Sequence, residues 1–502
     1  MEPWLTPCLN ADEMRAVDAW AIEKQGVPSL DLMETAGRAV AEAAERVAGS
    51  GRVVVVCGKG NNGGDGLVAA RALKKMGHNT EAVLLWPADD LSGDAKKNLE
   101  RFQAARHVEA AELPGALKGA SVIVDAIFGT GFAGEPRDPA AAAIDAINDA
   151  EAPVVATDIA SGVNASSGEV EGAAVEAKAT VTFHAPKLGH WIAPGKVHTG
   201  ELEVAPIGIP DGAPGGAEAG LIDPGVLSLL PPRGAGSTKF SSGQVVVVGG
   251  SRGLTGAVCL SARAAIRTGA GYATVAVPAE LEQIFEVKLT EVMSVGCASR
   301  EGHWRRAATE QVLEATEPAR AVVLGPGMGR DDGTKDVARD LTKRIAAPLV
   351  LDADGLNAHQ GRLKRLAERE APLIVTPHEG ELGRILDVDS ERVKQKRLDS
   401  AREAAQGGMV VLLKGDDTIV TDGERLAVNR GGSPALATAG TGDVLSGMTA
   451  AMVARGLDPF TAACAAVLAH SRAGRTAAER IGAPESVIAG DVVEAIPAGL
   501  AP

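Results

Sequence analysis

Residues 53–66 read VVVVCGKGNNGGDG. The four valines predict a buried β-strand, and the glycines that follow have the G-x-G-x-x-G spacing of a nucleotide-binding turn that leads into a helix. Asn61, Asn62 and Asp65 depart from a plain pyrophosphate loop, because their side chains can bind a cation or ribose hydroxyls. We therefore expect a parallel α/β domain with a ligand site at the end of its first strand.

Strand-like and helical segments alternate around this stretch, which is the pattern of a parallel sheet covered by helices on both faces. Strands are expected at 53–57, 82–86, 121–125, 153–157 and 180–184. Helices are expected at 11–25, 30–48, 67–76 and 140–149.

A second run of valines, VVVVGG at 245–250, restarts the alternation. Further strands are expected at 321–325, 348–352, 372–375 and 409–413, followed by a helical region from about 441 to 479. The segment DGAPGGAEAG at 211–220 lacks periodicity and is typical of a linker. We predict an α/β domain at 1–210, a linker at 211–222 and a second α/β domain at 223–502.

Composition restricts the class of protein. The formal net charge of −15 disfavours nucleic acid and anionic membranes as partners. The five cysteines form no CxxC pair, which favours a reducing compartment. No apolar stretch approaches the roughly 18 residues of a membrane span, and the N-terminus lacks a signal pattern. We expect a soluble cytoplasmic enzyme, assembled as a homo-oligomer.

Carboxylates follow three predicted strands of the first domain. Asp65, Asp125 and Asp158 each come after a strand, and the ends of parallel strands meet at one edge of the sheet. One carboxylate there could act as acid or base while another binds a cation, although Asp125 alone fits a helix N-cap equally well. Lys187 follows a later strand, where it could neutralise a phosphate or assist proton transfer, and it fits an exposed surface position equally well.

The motifs NNGGDG, VDAIFGTGF, DIASGV and FHAPKLG, in this order, resemble the YjeF N-terminal domain, a Rossmann-like three-layer epimerase of hydrated NAD(P)H. The resemblance covers residues 10–210 and implies that K⁺ is held by Asn62, Asp125 and Ser161. It implies a substrate site made of Asn61, Asn62, Gly63, Gly64, Asp65, Gly129, Thr130, Gly131, Phe132, Ala133, Gly134, Glu135 and Asp158. Asp158 is the expected catalytic acid or base. Ala160 replaces the proline usual in this family, which alters the stiffness of that turn.

The stretch AGTGDVLSG at 439–447 predicts a glycine-rich turn that enters a helix. Backbone N–H groups of such a turn can stabilise a transferring phosphoryl group, and Asp443 is placed to take a proton from an attacking hydroxyl. Four upstream motifs each follow a predicted strand, so they belong to the same sheet edge: GPGMG, LDAD, TPHEGE and KGDDT.

This set, over about residues 225–500, resembles the ADP/ATP-dependent NAD(P)H-hydrate dehydratase, the YjeF C-terminal domain, which has a ribokinase-like α/β fold. The resemblance implies that Ala257, Gly327, His378 and Asp443 contact the hydrated nucleotide. It implies an adenine-nucleotide site made of Lys414, Gly415, Asp416, Asp417, Thr418 and Gly442. Two departures are visible: Glu379 stands where proline is usual, and 432–434 read GSP in place of GNP.

Together the two resemblances imply a repair enzyme for hydrated NADH and NADPH, here called NADHX and NADPHX. The N-terminal domain would interconvert the R and S epimers, and the C-terminal domain would dehydrate the S epimer. Asp443 would deprotonate the hydroxyl on carbon 6, ADP or ATP with Mg²⁺ would phosphorylate it, and phosphate would then leave.

Three alternatives remain at this point. The second domain could be a small-alcohol kinase for a vitamin or sugar, which would leave a stable phosphorylated product. The first domain could be a non-catalytic binding module. An NAD-dependent dehydrogenase is disfavoured, since the acidic ribose contact expected about 20 residues after the glycine turn has only Asp89 and Asp90 as candidates.

Overall fold

The computed structural model describes residues 1–49, 51–213 and 216–501. The chain forms two compact units, Pro7–Ala219 and a C-terminal unit made of Met1–Thr6 with Gly220–Pro502. Among the described residues, no helix combines the length and apolarity that crossing a membrane requires.

The N-terminal unit alternates strands and helices as the sequence predicts. After β1 (Leu5–Cys8), its strands are β2 (Val53–Cys57), β3 (Thr80–Leu84), β4 (Ala105–His107), β5 (Val122–Ala126), β6 (Val154–Thr157), β7 (Ala179–Phe183) and β8 (Glu201–Ala205). Its helices are α1 (Ala11–Glu23), α2 (Ser29–Ala48), α3 (Asn61–Lys75), α4 (Gly93–Arg101), α5 (Leu113–Leu117), α6 (Ala140–Asn148) and α7 (Gly195–Thr199).

Strands β2 to β8 form one parallel sheet in the order β4-β3-β2-β5-β6-β7-β8. β2 is buried on both faces: Val53 and Val55 pack into one apolar core, and Val54 and Val56 pack into the other. The chain leaves β2 toward β3 on one side and returns to β5 on the other. The strand order therefore reverses between β2 and β5, the position where open α/β sheets bind ligands.

The NNGGDG segment forms the first turns of helix α3, whereas the sequence predicts a loop there and a helix from 67. Close packing explains the difference. A Cβ atom on Gly63 would overlap the carbonyl oxygen of Gly58, and one on Gly66 would lie 2.6 Å from the Cβ of Ala126. These glycines let the helix start directly against the ends of β2 and β5, which brings Asn62 and Asp65 to the sheet edge.

The C-terminal unit contains a larger sheet. Its strands are β9 (Ala219–Ile222), β10 (Gln244–Val248), β11 (Tyr272–Pro278), β12 (Val292–Cys297), β13 (Ser299–Arg300), β14 (His303–Trp304), β15 (Ala321–Leu324), β16 (Leu349–Leu351), β17 (Leu373–Val375), β18 (Val410–Leu413), β19 (Ile419–Thr421) and β20 (Leu426–Val428). The helices that open it are α8 (Thr255–Arg267), α9 (Glu282–Lys288), α10 (Ala308–Thr316) and α11 (Asp332–Arg344). They are followed by α12 (Ala353–Asn357), α13 (Leu363–Ala367), α14 (Glu379–Leu386), α15 (Ser390–Gln395), α16 (Arg397–Ala404), α17 (Thr441–Ala454), α18 (Pro459–Ile481) and α19 (Ala489–Gly499).

Eleven strands pair in the order β1-β9-β20-β19-β18-β17-β16-β15-β10-β11-β12. The seven strands from β18 to β12 run parallel, so the motifs after β10, β15, β16, β17 and β18 all lie at one edge. Strands β19 and β20 continue the sheet antiparallel. Helices α8, α17, α18 and α19 share one apolar core with alternate residues of the central strands, such as Val245 and Val323.

Further details differ from the sequence prediction. The helical region 441–479 is two helices, because Gly456 adopts a left-handed conformation and Asp458 caps a new helix at Pro459. The end of the expected linker at 211–222 forms β9, while its residues Pro214 and Gly215 lie outside the described residues. Met1–Thr6, expected within the first domain, group with the C-terminal unit. The functional boundaries 1–210 and 223–502 stay a prediction.

Candidate active sites

A cavity of about 670 Å³ opens at the edge of the N-terminal sheet where the strand order reverses. Most of the predicted substrate residues line it: Asn61, Asn62, Asp65, Gly129, Thr130, Gly131, Phe132, Ala133 and Asp158. Gly63 and Gly64 pack against Gly58 and Met33 instead. Neither these two glycines nor Gly134 and Glu135 are among the described residues that line the cavity.

Asp158 carries the most heavily bonded carboxylate of this cavity. One oxygen accepts hydrogen bonds from Lys187 Nζ at 2.7 Å and Thr182 Oγ1 at 3.2 Å. The other accepts from the backbone N of Thr130 at 3.0 Å and from the Thr130 hydroxyl. Burial alone would raise the pKa of Asp158, but the charge of Lys187 and these donors lower it to about 2.

Lys187 is completely buried, so the alternative of an exposed surface position is wrong. Its ammonium group also donates to Thr182 Oγ1 at 2.7 Å and to the carbonyl of Phe183 at 3.0 Å. Asp158 itself has a φ of 66°, a left-handed conformation that costs a non-glycine residue roughly 1–3 kcal/mol. The buried ion pair and its donors hold this strained residue at the cavity wall.

A second cluster, made of Asn62, Asp125, Phe128 and Ser161, lies next to the cavity. Asp125 is fully buried and accepts from Ser161 Oγ at 2.6 Å, Ser161 N at 2.8 Å and Ile127 N at 3.2 Å. Asn62 Nδ2 donates to the carbonyl of Phe128 at 2.9 Å. The structure therefore brings the three predicted K⁺ ligands together, and Asp125 caps no helix.

Burial raises the pKa of Asp125 to about 6, because its hydrogen bonds from Ser161 and Ile127 compensate only in part. No charged side chain in the described parts of the chain forms an ion pair with it. A buried carboxylate without a cationic partner, surrounded by amide, hydroxyl and carbonyl oxygens, has the chemistry of a site for a hard cation.

Asp18 lines the same cavity and was missed by the sequence analysis. It lies on α1, where Met14, Arg15 and Ile22 share its face of the helix and also line the cavity. The spacing i, i+1, i+4 and i+8 of Met14, Arg15, Asp18 and Ile22 was the available signal, but amphipathic helices more often use such a face for core packing.

The C-terminal site gathers charged side chains from the ends of several parallel strands. Lys414, after β18, donates to Asp352 at 3.1 Å and lies 3.6 Å from Glu381. Asp443 lies in the first turn of α17, behind Gly440 with a left-handed φ of 93°. Burial and the charge of Asp352, only partly offset by Lys414, raise the pKa of Asp443 to about 7.

Beside this cluster is a cavity of about 470 Å³, lined by Lys414, Gly415, Asp416, Thr418 and Gly442 among others. Five of the six predicted nucleotide residues therefore share one wall. Asp417 is not among the described lining residues, because its carboxylate turns inward to Arg397. His470 and Ser471 also line this cavity, and no pattern in the sequence distinguished them.

The predicted hydrate contacts lie at the same sheet edge. Gly327 adopts a left-handed φ of 60°, and a Cβ there would lie 3.3 Å from the Cβ of Ala257, so the two residues are neighbours. His378 is the N-cap of α14: its Nδ1 accepts from Gly380 N at 3.0 Å, and its own N donates to Glu381 at 3.0 Å.

Arg397 ties the KGDDT loop to the TPHEGE loop. Its buried guanidinium donates to Asp417 at 3.0 Å, to Glu379 at 2.5 Å and to the carbonyl of Lys414 at 3.1 Å. Glu379, the departure from the family's proline, thus gains an ion pair with Arg397. A side chain on Gly415 would collide with the guanidinium, which accounts for that glycine.

Comparisons with known proteins show the family to which the chain belongs. Residues 245–498 match the family model described as NAD(P)H-hydrate dehydratase, and residues 29–189 match the YjeF-related protein N-terminus. The chain is 39% identical to the bifunctional NAD(P)H-hydrate repair enzyme Nnr of Moorella thermoacetica, covering 97% of this chain and 96% of that one. It is 38% identical to the Nnr of Hyperthermus butylicus, covering 99% and 93% of the two chains.

A solved structure, the ADP/ATP-dependent NAD(P)H-hydrate dehydratase of Bacillus subtilis co-crystallised with ATP and Mg²⁺, is 29% identical with a TM-score of 0.48. It covers 55% of this chain and 94% of that one. The family matches and the two parallel sheets confirm the predicted fold class, a Rossmann-like three-layer domain followed by a ribokinase-like α/β domain.

Replacing Arg397 by Met should lower the free energy of unfolding by about 3–5 kcal/mol, because Asp417 would stay buried without this cation. Urea unfolding of the full chain measures the change. Arg392→Met is the matched control: its pair with Glu403 is about half exposed, so the loss should stay below about 1 kcal/mol. Equal stability of the two variants would contradict the role of Arg397.

Proposed function

The chain belongs to the family of bifunctional NAD(P)H-hydrate repair enzymes, and we propose that its two sites divide the repair of NADHX and NADPHX between them. The N-terminal cavity epimerises the R and S hydrates, and the C-terminal site dehydrates the S hydrate at the expense of ADP or ATP. The observation that carries this proposal is the meeting of Asp443, Lys414 and the nucleotide cavity at one sheet edge. Both family matches favour this function over a small-alcohol kinase fused to a binding module.

Dehydration needs a better leaving group than hydroxide on carbon 6 of the reduced ring. Asp443 takes the proton of that hydroxyl as its oxygen attacks the terminal phosphorus of the nucleotide. The N–H groups at the start of α17 and the Lys414 ammonium stabilise the charge on the transferring phosphoryl group. Phosphate then leaves as the ring nitrogen lone pair forms the C6=N1 bond, and loss of a proton from carbon 5 restores NAD(P)H.

The adenine nucleotide occupies the cavity beside Lys414, with its phosphates toward the N-terminus of α17. Within the described residues, no group of three His, Cys, Asp or Glu side chains is arranged to hold a metal. Mg²⁺ would be held by phosphate oxygens together with the carboxylates of Asp352 and Glu381 beside Lys414, and it would supply charge neutralisation.

In the epimerase cavity, Asp158 faces the ring and stays ionised. The sequence predicts an acid or base at Asp158, but its four hydrogen-bond donors favour a fixed negative charge that stabilises the positive ring formed when the carbon 6 hydroxyl leaves. Asn61, Thr130 and the glycines of 129–131 position the nucleotide around it.

K⁺ would be held by Asp125, Asn62, Ser161 and the carbonyl of Phe128, where it supplies the missing counter-charge of Asp125. The cluster joins the NNGGDG helix to the two loops that follow β5 and β6. Filling it would fix Asn62 and the loop from 128 to 133 around the substrate.

We also propose a cytoplasmic location and a homo-oligomeric assembly. Four of the cysteines, Cys57, Cys259, Cys297 and Cys464, are free and buried, as a reducing compartment favours.

Asp443→Asn should lower kcat for dehydration by roughly 10²–10⁴-fold, since Asn cannot accept the hydroxyl proton. In the wild type, kcat/KM for the S hydrate should fall as pH drops below about 7, because the pKa of Asp443 is raised to about 7 and only its ionised form is a base. Recovery of NADH absorbance measures both. Asp458→Asn, which keeps the N-cap of α18, should retain the wild-type rate. Wild-type activity of Asp443→Asn would refute the assignment.

Replacing K⁺ by tetramethylammonium should slow epimerisation of R-NADHX, and K⁺ should restore it. In Asp125→Asn the K⁺ concentration for half activation should rise by more than roughly tenfold. Chromatographic separation of the epimers measures the rate, and Asp145→Asn, an exposed position on α6, serves as control. An unchanged K⁺ response in Asp125→Asn would contradict the site.

A further inference from the structure

Four carboxylates line the epimerase cavity, those of Asp18, Asp65, Asp94 and Asp158. Asp94 is bonded to Ser29 and, at 2.9 Å, to Lys97. Both oxygens of Asp158 already accept hydrogen bonds, and one of them also pairs with Lys187. Protonating Asp158 would give up these interactions, so it is poorly suited to exchange protons with the substrate.

Asp65 is in the opposite situation. It lies in the first turns of α3, is only 8% exposed and lines the cavity. Within the described residues its carboxylate accepts no hydrogen bond and forms no ion pair. Burial, together with the negative charges of Asp158 and Asp18, raises its pKa well above the usual range of a carboxyl group.

Asp18 reaches the cavity from α1. The start of this helix is fixed beside Lys187, because Leu9 N donates to the carbonyl of Pro186 at 2.9 Å and Ala11 N donates to Ser166 Oγ at 3.0 Å. Within the described parts of the chain its carboxylate has no partner either. Burial raises the pKa of Asp18 to about 6, the charge of Asp158 adds to this, and Lys187 opposes it.

We infer that Asp18 and Asp65 are the proton-transfer residues of the epimerase site, an assignment that rests on the epimerase function proposed above. Both line the cavity that holds the reacting ring, both are free of partners among the described residues, and Lys187 is already committed to Asp158. Asp18 lies outside the matched family segment of residues 29–189.

Two carboxyl groups, one protonated and one ionised, are enough to balance the proton transfers of epimerisation. One protonated carboxyl group donates its proton to the carbon 6 hydroxyl, the C6–O bond breaks, and water departs while the N1 lone pair forms a C6=N1 bond. Water then attacks carbon 6 from the other face and gives a proton to the second, ionised carboxylate, as the π electrons return to N1. The hydroxyl configuration is inverted, and proton exchange with solvent resets the two groups.

Asp18→Asn and Asp65→Asn in the full chain should each lower kcat for R-to-S conversion of NADHX by roughly 100-fold or more. KM for the hydrate should change far less, because Asn preserves shape and polarity. In Asp18→Ala and Asp65→Ala, added formate should restore part of the rate, since a small carboxylic acid can replace the missing group.

Asp31→Asn is the matched control. Asp31 is exposed in the first turn of α2 and is not among the described residues that line the cavity, so this variant should keep a rate close to wild type. Dehydration of S-NADHX by the same preparations shows whether the C-terminal site of each variant is still active. Wild type that fails to epimerise would refute the proposed function itself. If the wild type epimerises but Asp18→Asn or Asp65→Asn is as fast as Asp31→Asn, the proton-transfer assignment is overturned. Alanine variants that bind the hydrate without responding to formate would also overturn it.

Discussion

Parallel strand pairing is the constraint on which both units depend. Every strand of a parallel run ends at the same edge, so the residues that follow the strands meet there although they are far apart in sequence. In the N-terminal unit this edge collects Asp65, Asp125 and Asp158, and in the C-terminal unit it collects Asp352, Glu381 and Lys414. The chemistry of each site follows from how these buried charges are neutralised.

The two units neutralise their buried carboxylates in related ways. Each places one lysine among several carboxylates: Lys187 beside Asp158, and Lys414 between Asp352 and Glu381. The site carboxylates that form no ion pair among the described residues are the ones whose pKa is raised, namely Asp18, Asp65 and Asp125 in one unit and Asp443 in the other. A carboxyl group with a raised pKa can gain or lose a proton near neutral pH, and its missing counter-charge can also be supplied by a cation. Within each site, the carboxylates paired with lysine therefore keep a fixed negative charge, and the unpaired carboxylates remain available for proton exchange or cation binding.

Local patterns predicted much of this arrangement. The strand at Val53–Cys57 was predicted to the residue, and Asp443 and the strand-end motifs were found because glycine spacing and buried strands are local signals. Asp18 and Arg397 were missed because their roles depend on contacts with residues far away in sequence. The helical start of α3 was missed because its glycines serve close packing against Gly58 and Ala126, which the sequence does not reveal.

The division of labour between the sites is tested most directly by one measurement. The wild-type full chain is incubated with a mixture of R- and S-NADHX and ATP, and NADH absorbance is followed together with phosphate release. The account predicts that the entire hydrate pool returns to NADH, with one phosphate released for each NADH formed. Recovery that stops at the S fraction, or accumulation of a stable phosphorylated product, would contradict it.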